Sequence, residues 1–366
     1  MRKYYIDNLR TVTVLVVVLF HVVYMFNNLQ EYGVIGGFFE RQWWDHFQTL
    51  VYPWIMVLLF AVAGMSARWS LGARTAKEFF RTRTDKLLVP VTLGLLAFHW
   101  ITGYFNVSIS GAGEQFFGAP MPIPYFILCL SGTGVLWFLQ MLWLFSLLLL
   151  LVRKLEKDRL YALCEKIPAW VLPLLALPLW GAAQILNTPI IIVYRFGFYG
   201  LAFFIGYFIL SHDSIMDRLE KLWLPLGIIA ALLGIAEVWV YRWQNYTELP
   251  IRDSFLSITY AWLASLALLA GMKHFCNKPS RVMTFLNRRS WTLYIFHYTF
   301  LAAAAWYMKD TGIPAAAQYL IITIAAFGGA WGFGEIISRI PVLRFWILGI
   351  HGKKKSPKKG ETTHVQ

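Results

Sequence analysis

Ten mostly apolar stretches alternate along the chain with short segments that contain charged residues, proline or glycine. An α-helix needs about 20 apolar residues to cross the hydrocarbon core of a bilayer, and each stretch is close to that length. The pattern therefore predicts an all-α, polytopic membrane bundle of about ten transmembrane helices. We expect these helices over residues 6–26, 49–67, 87–104, 134–152, 168–186, 195–211, 222–240, 254–272, 291–308 and 315–335.

The composition excludes most classes of soluble protein. Of the 366 residues, 58 % are hydrophobic and 14 % are charged, and the mean hydropathy is +0.56. Soluble domains carry about 25 % charged residues, so a soluble enzyme, a disordered chain and a coiled coil are excluded. The cysteines Cys129, Cys164 and Cys276 form no CxxC pair. Their spacing argues against a disulfide scaffold or a zinc ribbon, and no metal is expected.

The positions of the basic residues explain the formal net charge of +14. With the N-terminus in the cytoplasm, 28 of the 33 Lys and Arg residues fall on cytoplasmic segments of the ten-helix pattern. This asymmetry is typical of membrane proteins, so both termini are predicted to be cytoplasmic and no nucleic-acid partner is expected. Residues 1–349 form the predicted transmembrane domain. Residues 350–366 are predicted to be a disordered basic tail near anionic lipid headgroups, with Lys353, Lys354, Lys355, Lys358 and Lys359.

His21 lies deep in the first predicted helix, and Arg10 precedes it by eleven residues. Eleven residues make about three helical turns, so the two side chains share a face and lie roughly 16 Å apart along the axis. Arginine binds phosphate well, and a neutral histidine can act as a general base. The pair therefore suits a ligand with an anionic head and a distant reactive group, such as an acyl-CoA. Equally, Arg10 can mark the cytoplasmic end of the helix and His21 can hydrogen-bond a neighbouring helix.

Other polar and aromatic residues in the predicted helices have two interpretations. Tyr294 and His297 are three residues apart and share a helix face. His99, Trp100 and Tyr104 lie near the outer end of the third predicted helix. Aromatic residues there are typical of an interfacial belt, and they could equally stack on a sugar ring.

Two further charged groups lie at the predicted inner surface. Glu335 precedes Arg339 by four residues, which favours an ion pair along one helix. A basic segment before the third predicted helix indicates topology and could also hold phosphates; it contains Arg74, Lys77, Arg81, Arg83 and Lys86.

The residues resemble the acyltransferase 3 family of integral membrane acyltransferases, which includes glycan O-acetylases and glucan succinyltransferases. The resemblance begins with Tyr5-Ile-Asp7-Asn-Leu-Arg10 and His21, and covers about residues 4–349. Further similar stretches, in the family's order, are Phe60–Gly64, Arg83–Pro90, Leu136–Leu139, the spacing Ser290, Tyr294, His297, and Glu335. Two positions depart from the family pattern: Lys86 replaces an arginine, and Ala63 replaces a serine.

The resemblance implies an enzyme that transfers an acyl group from cytoplasmic acyl-CoA to a carbohydrate hydroxyl. The donor would bind near Arg10, Arg81, Arg83 and Lys86, and His21 would act as the base or carry the acyl group. The acceptor, a surface or lipid-linked sugar, would contact Arg195, Trp100 and Tyr104. Asp7, Tyr294, His297 and Glu335 would support the site. Acetyl is the expected acyl group and succinyl the alternative, and the expected location is a bacterial plasma membrane.

Two rival functions stay open at the level of sequence. One is a transporter or exporter of an anionic or acylated substrate without acyl-transfer chemistry. The other is a structural or sensory membrane protein in which His21 only stabilises helix packing. Within the acyltransferase interpretation, a covalent acyl-histidine and direct transfer fit the residues equally well, and the sequence fixes neither the oligomeric state nor the acceptor.

Overall fold

The computed structural model describes residues 3–30, 34–118, 120–188 and 191–351. In this part of the chain all regular elements are helical, apart from an isolated bridge between Asn187 and Arg195. The predicted tail beyond residue 351, with its five lysines, lies outside the described residues. The helices are α1 (Tyr4–Tyr24), α2 (His46–Gly72), α3 (Ala76–Arg83), α4 (Trp100–Ile109), α5 (Gly113–Phe117), α6 (Ile123–Ser131), α7 (Trp137–Glu156), α8 (Arg159–Cys164), α9 (Val171–Leu174), α10 (Ala176–Ala183), α11 (Phe196–Ile205), α12 (Asp213–Glu220), α13 (Trp223–Tyr241), α14 (Leu249–Arg252), α15 (Phe255–Cys276), α16 (Arg281–Met308), α17 (Ala315–Ile324), α18 (Ala330–Arg339) and α19 (Pro341–Leu348).

Short helical turns of other types connect several of these helices. Turns of 3-10 helix occupy Trp43–Asp45 and Gly134–Leu136. Wider π-helical turns occupy Thr84–Leu88, Leu95–His99, Gly206–Leu210 and Ala325–Gly329. The last of these joins α17 to α18, so the two helices form one continuous apolar segment.

Six helical segments of the described chain are long and apolar enough to cross a membrane. They are Tyr4–Tyr24, Trp43–Gly72, Gly134–Glu156, Trp223–Tyr241, Phe255–Cys276 and Ala315–Arg339. A seventh is present if Phe196–Leu210 and Asp213–Glu220, which meet at a bend of 97°, form one broken span. The all-α membrane fold is thus confirmed with six or seven candidate spans, and the count of ten is not confirmed by helix length.

The remaining predicted spans are helical but interrupted or differently bounded. Residues 168–186 divide into α9 and α10, where Pro173 and Pro178 lack the N–H that an uninterrupted helix would use. Residues 87–104 contain a turn and a π-helical segment before α4. Residues 291–308 form the second part of the 28-residue helix α16, whose first turns are more polar.

One side of α13 indicates where lipid lies. Leu224, Ile228, Leu232 and Ile235 recur at helical spacing and each exposes more than half of its surface. Glu237 on the same helix is buried and faces α15, on which α13 packs. In water such an apolar stripe would be costly, whereas in a bilayer it faces hydrocarbon.

The centre of the fold is built around α1, which packs against α2, α15 and α16. α2 in turn packs closely against α11 and the π-helical turn that follows it. A Cβ atom on Gly64 would lie 1.9 Å from the carbonyl oxygen of Phe203, and one on Gly206 would lie 2.0 Å from that of Ala61. Only glycine allows this close approach, so Gly64 has a packing role in the stretch that resembles the family.

Candidate functional site

Two cavities lie one behind the other along the same elements. The His21 cavity has a volume of about 310 Å³ and the Arg10 cavity about 570 Å³. Four continuous helical segments border both cavities. In each segment one residue lines the His21 cavity and another, three or four positions away, lines the Arg10 cavity. The pairs are Val17 and Val14, Met56 and Leu59, Val135 and Phe138, and Tyr298 and Tyr294. One helical turn rises about 5 Å, so a barrier about one turn thick separates the cavities.

A single stripe of α1 faces both cavities. Arg10 and Val14 line the Arg10 cavity, and Val17 and His21 line the His21 cavity. These residues are spaced by four, three and four positions, which is the spacing of one helix face. The shared face that the spacing of Arg10 and His21 predicts is therefore present, with one residue at each cavity.

The hydrogen bonds of His21 fix which ring nitrogen is free. Its Nδ1 lies 2.8 Å from the carbonyl oxygen of Val17, and a carbonyl oxygen can only accept a hydrogen bond. Nδ1 therefore carries the proton. In the neutral ring the lone pair is then on Nε2, which is the nitrogen that can accept a proton from a ligand in the cavity.

His297 is fully buried and contacts His21 across the interface of α1 and α16. Its Nε2 lies 3.3 Å from the Nδ1 of His21, and the two ring centroids are 5.2 Å apart. Tyr298, the next residue, places its ring edge-to-face with the His21 ring at 5.3 Å. The His21 ring is thus held from two directions by α16.

The described residues that line the His21 cavity include no Asp, Glu, Lys or Arg. Its wall is mainly aromatic and aliphatic, with neutral polar groups between. The aromatic members besides Phe20 are Tyr24, Tyr52, Trp137, Tyr246 and Tyr298, and the neutral polar members are Gln30, Asn106 and Thr247. Such a cavity favours an uncharged ligand that has a flat face and several hydroxyl groups.

The Arg10 cavity, unlike the neutral His21 cavity, is positively charged. Arg10, Arg74, Arg83 and Lys86 line it, and no acidic residue does so among the residues that the structure describes. Burial lowers the pKa of Arg83 to about 10, and the positive charges of Arg10 and Arg74 lower it as well. Burial, followed by Arg74, Arg83 and Arg10, also lowers the pKa of Lys86. Crowded cations without a carboxylate form a site for a polyanion.

Tyr294 connects the two cavities through the barrier. It lines the Arg10 cavity, and its hydroxyl donates a hydrogen bond to the carbonyl oxygen of Val135, which lines the His21 cavity. Ser290, one turn earlier on α16, also lines the Arg10 cavity. The spacing Ser290, Tyr294, His297 therefore follows one face of α16 from the Arg10 cavity to His21.

The two departures from the family pattern lie at the same place. Ala63 and Lys86 both line the Arg10 cavity. Arg10 itself donates a hydrogen bond to Ser66, three residues after Ala63. Both of these differences therefore concern the basic cavity.

Two predicted site residues on the basic side lie away from the Arg10 cavity. Arg81 is exposed and is not among its lining residues. Glu335 is exposed and lies 3.7 Å from Arg289 rather than pairing with Arg339. Asp7 lines a neighbouring open cavity, which it shares with Arg10.

The residues predicted to contact the acceptor are also not among the described residues that line the His21 cavity. Arg195 is 2 % exposed and forms an ion pair of 2.7 Å with Asp253. Trp100 and Tyr104 are more than a third exposed. His99 is buried, and its Nε2 has no partner among the described residues. The structure brings together Arg10, Arg83, Lys86 and Tyr294 around one cavity, and places His297 against His21 beside the other. Arg195, Trp100 and Tyr104 belong to neither group.

Sequence reasoning missed most of the wall around His21. Tyr298 had a usable signal, because it follows His297 and lies four residues after Tyr294. Tyr52 lies near the start of a predicted helix, and Tyr246 lies in a loop. Their approach to His21 depends on how distant segments pack, which a periodic pattern does not encode.

Comparison with protein families gives one match. A family model described as an acyltransferase domain matches residues 3–335, which is most of the chain. Comparisons with curated proteins and with solved structures give no match.

Proposed function

The chain belongs to the acyltransferase 3 family, and on that premise we propose that it transfers an acyl group from acyl-CoA to a hydroxyl of a surface or lipid-linked carbohydrate. The match confirms the family predicted from the motifs around Arg10, His21 and His297. The observation that carries the proposal is the pair of cavities. One is strongly basic, the other is neutral and contains a histidine with a free nitrogen, and one helical turn separates them.

The Arg10 cavity is the proposed donor site. Acyl-CoA carries several phosphate groups at its nucleotide end and a thioester at the end of a long flexible arm. Arg10, Arg83 and Lys86 would bind the phosphates, because guanidinium and ammonium groups form charge-assisted hydrogen bonds with phosphate. The arm would then point along the stripe of α1 towards His21.

His21 is the proposed general base. The Nε2 lone pair of His21 would take the proton of the acceptor hydroxyl as its oxygen attacks the thioester carbonyl carbon. The carbon–sulfur bond breaks, and the proton passes from His21 to the departing thiolate, which leaves as CoA thiol. A positioned base contributes about 10²- to 10⁴-fold to a rate. In the alternative route the Nε2 of His21 attacks the thioester carbon, so a carbon–nitrogen bond forms as the carbon–sulfur bond breaks and CoA leaves. The acceptor hydroxyl then attacks the acyl-histidine, the carbon–nitrogen bond breaks, and the hydroxyl proton returns to the imidazole.

The His21 cavity is the proposed acceptor site. Tyr52, Tyr246 and Trp137 offer aromatic faces, on which a sugar ring can lie, and Gln30, Asn106 and Thr247 offer neutral hydrogen-bonding groups. Exclusion of bulk water from the reacting atoms would limit loss of the thioester by hydrolysis. Trp100, Tyr104 and Arg195 are not needed for this arrangement.

We also propose ten spans, cytoplasmic termini and a plasma-membrane location. The asymmetry of Lys and Arg supports the count, as does the presence of helices in each of the ten segments, even where these are short or broken. This orientation would put the Arg10 cavity on the cytoplasmic side, where acyl-CoA is present. Accessibility labelling of single cysteines placed in each connecting segment would test the count directly.

The test of the proposed activity is acyl-CoA consumption by the purified protein in proteoliposomes. Acetyl-CoA and succinyl-CoA would each be supplied with a glycan extract as acceptor. We expect consumption by the wild type and by His274→Ala, which removes a partly exposed histidine outside both cavities. We expect none by His21→Ala with an unchanged thermal melt. Equal consumption by His21→Ala would exclude the proposed role of His21.

A transporter is the second candidate, because two cavities on either side of a thin barrier are also what an alternating-access mechanism needs. It predicts that labelled acyl-CoA or an acylated sugar moves across the proteoliposome membrane with its thioester or ester intact. If every variant leaves the donor unconsumed and such movement is observed, the transporter interpretation replaces the enzyme.

A further inference from the structure

His297 directs a ring nitrogen that carries a lone pair towards the Nδ1 of His21. The Nδ1 of His297 lies 3.0 Å from the carbonyl oxygen of Leu293 and 2.9 Å from that of Tyr294. Both oxygens can only accept, so this nitrogen carries the proton of the neutral ring. The lone pair of His297 is therefore on Nε2, which lies 3.3 Å from the Nδ1–H of His21.

The Nδ1–H of His21 thus meets two acceptors, the Val17 carbonyl oxygen and the Nε2 of His297. The carbonyl belongs to the same helix as His21 and would hold the tautomer alone. His297 adds an acceptor on a second helix, so its contribution depends on how α16 packs against α1. His297 itself is wholly buried.

The added acceptor matters most after His21 gains a proton. The described lining of the His21 cavity contains no carboxylate that would balance an imidazolium. The charge must then be stabilised by dipoles already in place. A hydrogen bond from a charged donor is shorter and roughly twice as strong as one from a neutral donor, so the contact with His297 strengthens in the protonated state.

We propose that His297 is a positioning residue for His21: its Nε2 accepts from the His21 Nδ1–H, holds the free Nε2 of His21 towards the cavity, and stabilises the imidazolium formed during transfer. This inference rests on the proposed function, in which His21 accepts the proton of the acceptor hydroxyl. The role resembles that of the third member of a catalytic triad, with a neutral imidazole in place of a carboxylate.

Two substitutions of similar size distinguish a hydrogen-bonding role of His297 from a role in packing alone. His297→Gln keeps an amide oxygen that can accept from His21 and an amide N–H that can donate to the backbone carbonyls. His297→Met fills similar space but offers only a weak acceptor. Thermal melts of both variants would establish that each is folded.

The first measurement is steady-state acyl transfer. A hydrogen bond to a charged group is sufficient to change a rate by roughly 10- to 100-fold. We expect kcat of His297→Met to fall by that factor with KM within about threefold of wild type, and His297→Gln to recover most of the loss. Equal rates for Met and wild type, or equal losses for folded Met and Gln variants, would overturn the proposal.

The second measurement does not depend on activity. In protein labelled with ¹⁵N-histidine, with His21 assigned through His21→Ala, the Nδ1 of His21 should be protonated and its resonance should shift in His297→Met but much less in His297→Gln. An unchanged resonance in His297→Met would overturn the contact. If wild type transfers no acyl group while the resonance shifts as expected, the proposed function fails and the His297 contact stands.

Discussion

The hydroxyl of Tyr294 donates to the carbonyl oxygen of Val135, and this hydrogen bond joins α16 to the turn before α7 between the two cavities. Tyr294 faces the basic cavity and Val135 faces the neutral one. A thioester that moves from the Arg10 cavity to His21 would cross the barrier to which this contact belongs. The barrier is about one helical turn thick. Its hydrogen bond between Tyr294 and Val135 can be removed by deleting the hydroxyl oxygen of Tyr294.

Tyr294→Phe removes that oxygen and leaves the ring. We expect the free energy of unfolding to fall by about 1–3 kcal/mol, because the buried Val135 carbonyl loses its partner. We also expect acyl-CoA hydrolysis without acceptor to rise by about 2- to 10-fold, because the thioester reaches the His21 cavity more easily. Hydrolysis and thermal melts would be measured beside Tyr307→Phe, a substitution at an exposed tyrosine. Unchanged hydrolysis in Tyr294→Phe would mean that this contact does not limit passage.

Arg83 and Arg81 lie on one helix and provide a matched pair. Arg83 lines the basic cavity and Arg81 does not. We expect Arg83→Gln to raise the KM for acyl-CoA by tenfold or more, since a charge-assisted hydrogen bond contributes about 1.5–3 kcal/mol, and Arg81→Gln to change it by less than about twofold. Equal effects at both positions would show that the donor follows the whole basic helix rather than the cavity.

The donor affinity should also depend on pH. Burial and neighbouring cations lower the pKa of Arg83 to about 10. Arg83 therefore carries its charge at neutral pH and loses it as the pH rises through about 10. We expect the KM for acyl-CoA to rise in that range in the wild type and less in Arg83→Gln. A KM that rises equally in both proteins would assign the pH dependence to other groups.

The neutral lining of the His21 cavity predicts selection against charged acyl groups. A succinyl carboxylate would find no basic partner among its described lining residues, and burial of an unpaired charge costs several kcal/mol. We expect kcat/KM for acetyl-CoA to exceed that for succinyl-CoA by roughly 100-fold or more. Comparable values, measured with one acceptor at one pH, would mean that the acyl chain does not enter this cavity.

Arg195 should act on stability rather than on acceptor binding. Its guanidinium is buried and paired with Asp253, and removal of one partner from a buried pair costs about 3–5 kcal/mol. We expect Arg195→Met to lower the free energy of unfolding by about this amount, with the KM for acceptor unchanged in the folded protein. A raised acceptor KM in a stable Arg195→Met variant would instead support direct contact with the acceptor.

Features that depend on local spacing could be predicted from the sequence. The eleven-residue separation of Arg10 and His21 predicts one helix face, and both side chains do face the cavities along α1. Arg83 and Lys86 are close in sequence to each other, and their position before an apolar segment predicts a common site. The helical class follows from apolar stretches of membrane length.

Features that depend on distant packing could not be predicted in this way. His21 and His297 are 276 residues apart, and their contact arises from the packing of α1 on α16. Arg195 has the charge expected of a ligand contact, but its guanidinium pairs with Asp253, 58 residues later, which also contacts Arg252. The breaks in the third and fifth predicted spans depend on a π-helical turn and on prolines. A hydropathy value averaged over a window of residues does not reveal such local breaks.

The most direct test of the account is sidedness of acyl transfer in proteoliposomes with one orientation. Acetyl-CoA labelled in its acyl group would be added on the side of the Arg10 cavity, and an oligosaccharide acceptor would be confined to the side of the His21 cavity. We expect label to appear in the acceptor with wild type and with His274→Ala, and not with folded His21→Ala. Equal labelling by His21→Ala, or labelling only when both substrates are on the side of the Arg10 cavity, would contradict it.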